Sequence, residues 1–362
     1  MLAGLSLLAV VFFLAVAGLS RAYYAQQESL GKRWFARGIA DLSAGHDNDA
    51  VKEFRTALRY SRDNYAFQLN LADALIGLKR EGEAKAYLTN LWDRQPENEQ
   101  VNLDLARIAV KEGRTEEALR YYHNVICANW QSDREVERRD ARLELINFLL
   151  KINATTQAQS ELMALAASGG HDSSEQARVG DLFYQARDYE HALAAYEASL
   201  KLDPRNMAAT KGLGLAAFEL GRYDLAQRYL QAAVSADPRD TLSRTRLRTT
   251  ESILRMDPFQ PQLSADQRDR IVINDFAVAG DRLKSCASSR DSGWPENSQA
   301  LSESWEKMKP DMTLRQVRRH TDLTETAMEM VFQIERESSA VCANPTDADA
   351  ALLLIAKLHE RN

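Results

Sequence analysis

Between Gly31 and Asp240 the apolar positions fall in pairs of short blocks, each at helical spacing, with a polar turn between the two blocks of a pair. In the stretch that begins at Ser173 the first block is Val179, Leu182 and Phe183, and the second is Ala192, Tyr196 and Leu200. The pattern returns 34 residues later: Gly180 is matched by Gly214, Ala192 by Ala226, Tyr196 by Leu230, Leu200 by Val234 and Pro204 by Pro238. A fixed period of this length predicts stacked helix pairs, since one pair cannot bury its own apolar face and the next must cover it. The same frame, stepped upstream, starts units at Gly31, Tyr65 and Glu99, with Ala50, Ala84 and Ala118 where the later units have Ala192 and Ala226. The span Asp133 to Asp172 is six residues too long; with "DREVER", Asp133 to Arg138, taken as an insertion, it holds a further unit from Arg139 with Ala158 in place.

Each turn carries Gly or a polar cluster ("SAGHDND", "KREGE", "KEGRT", "ELGRYD") able to stop a first helix, and Pro96, Pro204 and Pro238 end second helices. Small residues at the crossings let paired helices approach closely, and larger ones fill the space between pairs. This pattern resembles the tetratricopeptide repeat family over Gly31 to Asp240, with Trp34, Gly38, Ala50, Phe54 and Ala57 the clearest match. Departures are Ala72, Ala106 and Ile146 in place of the first-helix glycine, and Arg62 and Trp130 where the family often has proline. The resemblance implies an all-α fold, a right-handed superhelical solenoid of about six helix-turn-helix repeats; the residues before and after it predict an N-terminal transmembrane helix and a C-terminal helical region. The predicted organisation is an anchor over 1–20, a linker over 21–30, repeats with a capping helix over 31–258 and a helical domain over 259–362.

The anchor is predicted from Leu2 to Leu19, which carries no charge. Eighteen helical residues reach about 27 Å, close to the hydrocarbon thickness of a bilayer. A cleaved export signal is the competing reading, with small residues at Ala15 and Ala17, but no Lys or Arg precedes the apolar run. Arg21, Lys32, Arg33 and Arg37 follow that run and lean the body towards the cytoplasmic side of an inner membrane, with a periplasmic body as the alternative.

Beyond the repeats, "MDPFQPQL" (Met256 to Leu263) marks a boundary. A capping box at Ser264 and Gln267 then opens a helix in which Ile271, Phe276 and Leu283 share a face. After a polar gap, helices are predicted over Leu314–His320 and Leu323–Cys342, and a last one follows Pro345 with Thr346 as its cap.

Net charge of -6 gives no basic excess, so nucleic acid is not an expected partner. Cys127, Cys286 and Cys342 are too few and too scattered for a disulfide scaffold or a zinc site, and a Cys286–Cys342 bridge becomes plausible only in an oxidising space. The six histidines lack metal-site spacing, and "GLGLAA" at Gly212 lies in a repeat helix with no strand before it, so it is no phosphate loop. No nucleophile motif occurs; neither an enzyme, a cofactor nor a metal is expected.

Function then falls to the repeats, and the resemblance implies that first helices line a concave groove that binds partner proteins. Its predicted residues are Phe35, Ile39, Leu69, Asp73, Leu103, Arg107, Leu143, Asn147, Asp181, Tyr184, Lys211 and Leu215, an apolar strip with a polar centre. The reading is a membrane-anchored scaffold or adaptor. Its alternatives are an accessory subunit of a larger membrane enzyme complex, or a regulator of cell-envelope biogenesis, the latter without a paired-cysteine metal module.

Overall fold

The computed structural model describes residues 2–128, 134–167, 172–288, 297–342 and 345–359, apart from the side chains of 2–11, 287–288 and 297–298. Trp130, Asp133 and His171 lie outside the described residues. The chain forms two compact units, Met1–Glu161 and Leu162–Asn362. Among the described residues every regular element is helical.

The first unit holds α1 (Leu2–Ser43), α2 (Asp47–Tyr60), α3 (Tyr65–Gly77), α4 (Glu81–Arg94), α5 (Glu99–Lys111), α6 (Thr115–Cys127) and α7 (Glu135–Lys151), with α8 (Thr155–Ala167) beginning in it. The second holds α9 (Ser173–Gln185), α10 (Tyr189–Leu202), α11 (Met207–Glu219), α12 (Tyr223–Ala236), α13 (Thr241–Met256), α14 (Ala265–Ser288), α15 (Asn297–Met308), α16 (Leu314–Arg319), α17 (Asp322–Val341) and α18 (Asp347–His359).

The repeat frame is written into the backbone. Positive φ angles occur at Gly45, Lys79, Gly113, Asn153, Arg187 and Gly221, spaced 34, 34, 40, 34 and 34 residues apart. At each the chain reverses: Arg80 N–H donates to Leu75 C=O and Arg114 N–H to Ala109 C=O, both at 2.9 Å, closing the first helix. The next first helix is opened by a side-chain cap, in which Asn64, Asn98, Asp172, Asn206 and Asp240 accept a backbone N–H of their helix's first turn. Between them, Ala50, Ala84, Ala118, Ala158, Ala192 and Ala226 are all fully buried at the helix crossings. Tyr196 fills the space that two glycines leave, since a Cβ on Gly180 would stand 2.7 Å from its ring and one on Gly212 would overlap it.

Several sequence expectations change. Residues 21–30 are not a separate linker but part of α1, which runs unbroken from Leu2 into the first repeat. The described part of the insertion, Arg134–Arg138, mostly joins α7; Arg138 stands where the second, third, fifth and sixth units have a capping Asn or Asp, so nothing stops the helix from starting early. Helix α15 lies in and after the polar gap; Trp305 stacks on Phe276 with ring centroids 5.4 Å apart and donates to the Phe276 carbonyl at 3.0 Å. Val272 rather than Ile271 joins Phe276 and Leu283 on the buried face of α14.

The boundary expected at Met256–Leu263 does not divide the compact units, which part within α8. Helix α13 is packed by α12 and also by α18, so the expected capping helix is itself covered. It can be, because its inward Ser243 and Thr250 bond locally, to Asp240 Oδ2 and Arg246 C=O, both at 2.7 Å, and leave no unmet hydroxyl. The expected capping box is formed, with Ser264 N–H donating to Gln267 Oε1 at 3.0 Å. Thr346, expected as the cap of the last helix, accepts the Asp349 N–H at 3.2 Å, and its own N–H donates to Asp349 Oδ2 at 2.7 Å.

Among the described residues no helix is long and apolar enough to cross a membrane. Phe12, Phe13, Leu14, Val16 and Leu19 are nonetheless exposed along α1.

Candidate functional site

In the first unit, α1, α3, α5 and α7 are the first helices of their pairs and present one row of side chains each. Apolar members of that row are half sunk: Phe35 stacks on Phe67 at 4.7 Å, and Leu69, Ile76, Leu103, Val110 and Leu150 pack against the core while keeping an open edge. Ile39, 38% exposed, Arg107 and Asn147 are the open members, and Leu143 is intermediate.

The polar centre is more built than its sequence suggested. Arg107 donates to Glu144 through Nε at 3.0 Å and Nη2 at 2.6 Å, a two-point clamp between α5 and α7. Its Nη1 also reaches Asp104 Oδ1 at 3.4 Å, Gln100 donates to Asp104 Oδ2 at 2.9 Å, and the Tyr122 hydroxyl donates to Glu144 at 3.5 Å. Burial, with the Asp104 charge beside it, pushes Asp73 up to about 7. Burial raises Asp104 too, against the pull of Gln100 and Arg107. The two carboxyls therefore influence one another, and a proton on one favours the charge on the other. Burial likewise pushes the Tyr122 phenol up to about 12. A recess of about 200 Å³ opens beside the clamp, floored by Leu103 and Ala141 and rimmed by Arg134 and Asp140.

In the second unit the predicted residues are engaged differently. Lys211 is held by Asp240 at 2.7 Å and Asp181 accepts the Tyr196 hydroxyl at 2.7 Å. Tyr184 meets Tyr189 edge-on at 5.3 Å, and burial, with Glu219 nearby, pushes its phenol up to about 12. Leu215 is only 7% exposed and so is not an open position. Its neighbour Phe218 is buried under the Arg246 guanidinium of α13, 4.6 Å from the ring centroid, with Arg246 fixed by Glu219 at 3.2 Å.

The structure thus brings Leu69, Asp73, Leu103 and Arg107 together and closes the row at Leu215. Asp104, Glu144, Tyr122 and Gln100 were missed. Their one sequence signal is an acid at position six of the third and fourth units, Asp104 and Glu144, beside position nine of the unit before or its own Arg107. Among the described residues no three His, Cys, Asp or Glu side chains are grouped to hold a metal ion.

Stacked antiparallel helix pairs with capped first helices, small crossing residues and a half-apolar first-helix face define a class, the all-helical repeat proteins. Tetratricopeptide repeat models match residues 35–99 and 180–241, and a second model of that family matches 81–126; the repeats of this chain belong to the tetratricopeptide repeat family. The chain is 26% identical over 224 residues to cellulose synthase operon protein C of Komagataeibacter xylinus. That match takes in 57% of this chain but only 17% of the relative's length. Among solved structures it is similar to YrrB, described as a TPR protein with an unusual peptide-binding site (16% identity, 53% of this chain and 95% of that one, TM-score 0.43). It is also similar to Pseudomonas aeruginosa pilF (18% identity, 60% and 96%, TM-score 0.42). Repeats of this family imply a scaffold for protein–protein interaction.

Proposed function

We propose that this protein is a membrane-attached, non-enzymatic adaptor that captures a segment of a partner protein on the first-helix face of its Met1–Glu161 unit. The observation that supports this is the arrangement around Arg107: half-sunk apolar side chains at Leu69 and Leu103 flank a fixed, solvent-reachable ion cluster. Apolar edges supply area removed from water, and a clamped guanidinium supplies direction without ordering cost. Attachment is read from the uncharged run Leu2–Leu19 and from the exposed apolar side chains that α1 carries into the first repeat. A second reading, an accessory part of a membrane-bound polysaccharide-synthase assembly, is supported by the name of the 26% identical relative.

Affinity capture of the full chain from detergent extract, with mass spectrometry of what is retained, tests the adaptor reading. Substituting Asp for Leu69 and Leu103 is a poor probe, because both pack against the core. The exposed pair Ile39→Glu and Asn147→Arg is cleaner and is expected to weaken capture at least ~10-fold with helicity unchanged, as loss of two interface contacts should. Glu116→Arg, exposed on the second helix α6, is the neutral control. Arg120 on the same helix is not neutral, because its guanidinium lies 5.0 Å over the Tyr121 ring. Full capture by the double variant would overturn the face assignment. A fixed stoichiometry with other subunits would favour the second reading.

A further inference from the structure

Cys286 and Cys342 are 56 residues apart in sequence, yet the packing of α14 on α17 sets their Cα atoms 5.8 Å apart and joins the sulfurs. That separation is in the middle of the range a disulfide spans. The pair is built into its surroundings. Cys286 sits in the last turn of α14 and is 2% exposed, and Cys342 caps α17. Arg282, one turn before Cys286, donates to the Cys342 carbonyl at 3.0 Å and lies 3.8 Å from Asp349 of α18. Arg282 is 7% exposed and Glu335 of α17 is 2% exposed, so three helices meet on one buried charge cluster beside the bridge. Misplacing Cys342 would therefore also disturb the ion pairing of Arg282.

We infer that the Leu162–Asn362 unit matures in an oxidising compartment, the periplasm in a bacterial cell, with Cys286–Cys342 as a structural disulfide. Closing the bond joins the two sulfurs with loss of two protons and two electrons, which a disulfide-bearing oxidant of that compartment accepts, becoming a dithiol. Cytosolic thiol pools hold such pairs reduced. The charge argument for a cytoplasmic body is correspondingly slight: only Arg21 stands close behind the apolar run, while Lys32, Arg33 and Arg37 lie within the first repeat's helix. The partner taken up by the first-helix face must then expose its segment in the same compartment. This inference stands on the geometry of the second unit and does not need the anchor, since a body released from the membrane after export would be oxidised alike.

The test is acid quenching of cells that express the full chain, followed by alkylation with a polyethylene-glycol maleimide. One adduct, on Cys127, is expected before reduction and three after it; Cys286→Ser should give two without reductant. In intact spheroplasts a membrane-impermeant maleimide should label Ser43→Cys placed in a Cys127→Ser chain. Three adducts without reductant, or a Ser43→Cys labelled only after the membrane is opened, would overturn the inference. Carbonate extraction separates it from the anchor reading: an oxidised pair in the soluble fraction sinks the anchor and leaves the compartment standing.

Discussion

Lys79 and Arg187 hold φ angles of 59° and 57°, where the equivalent turns of other repeats place Gly45, Gly113 and Gly221. A side chain with a Cβ is strained there by roughly 1–2 kcal/mol, while glycine costs more entropy to order. Lys79→Gly and Arg187→Gly are accordingly expected to raise stability by about 0.5–1 kcal/mol each, read as a shifted urea midpoint at unchanged slope. Asp275 shows the opposite kind of tension. It is fully buried, Oδ2 has no hydrogen-bond partner among the described residues, and burial pushes its carboxyl up to about 8, with Asn274 opposing and Asp257 adding to the rise. Since the folded carboxyl keeps a proton that the unfolded chain releases near 3.8, this residue's contribution is complete below that pH and is lost as pH rises through 8. Burial pushes Glu335 up to about 8 as well, with the same sign. Asp275→Asn should therefore flatten the decline in stability between pH 5 and pH 8.5. Its advantage over the parent, roughly 1–3 kcal/mol, should be largest at pH 8.5 in urea titrations.

At the scale of helix pairs, stability rests on close crossings. Ala192 and Ala226 are fully buried between second and first helices, so Ala192→Leu or Ala226→Leu should overpack the stack and cost about 1–3 kcal/mol. An unchanged thermal melt would disprove the register. Gly280→Ala should behave similarly, because its Cβ would enter the Trp305 ring, which is itself pinned to the Phe276 carbonyl. The helices after Met256 are not an independent appendage: α18 covers α13, and His359 near its end bonds Asp257 at 3.3 Å and packs 4.2 Å from the Phe259 ring. Removing Leu263–Asn362 would thus expose the end of the repeats, and a loss of partner after such a deletion would not identify those helices as the binding module.

For the molecule as a whole, reduction or Cys342→Ser tests how far the second unit depends on its bridge. Closing a loop of 56 residues restricts the unfolded chain, and losing that restriction is expected to lower the melting temperature by about 5–15 °C. The Met1–Glu161 unit, whose one cysteine, Cys127, is unbridged and exposed, should melt as before, which differential protease sensitivity can report.

What the sequence by itself determined is what depends on neighbours along the chain. The helix pairs, their 34-residue period, the turns at Gly45, Gly113 and Gly221, the capping box at Ser264 and the cap at Thr346 all follow from local spacing and local hydrogen bonds. Open rows on the first helices of the early repeats were legible for the same reason, at Ile39, Arg107 and Asn147. Only the tertiary structure decided which rows stay open and what completes them. Leu215 reads like Ile39 in the repeat frame, yet it is buried, on a helix that packs against α9 and α13. The polar centre needs side chains from α3, α5, α6 and α7, and no local pattern says how successive pairs are rotated on one another. Cys286 and Cys342 meet for that reason too: what brings them within 5.8 Å is the packing of α14 against α17, a long-range contact that hydrophobic period alone leaves open.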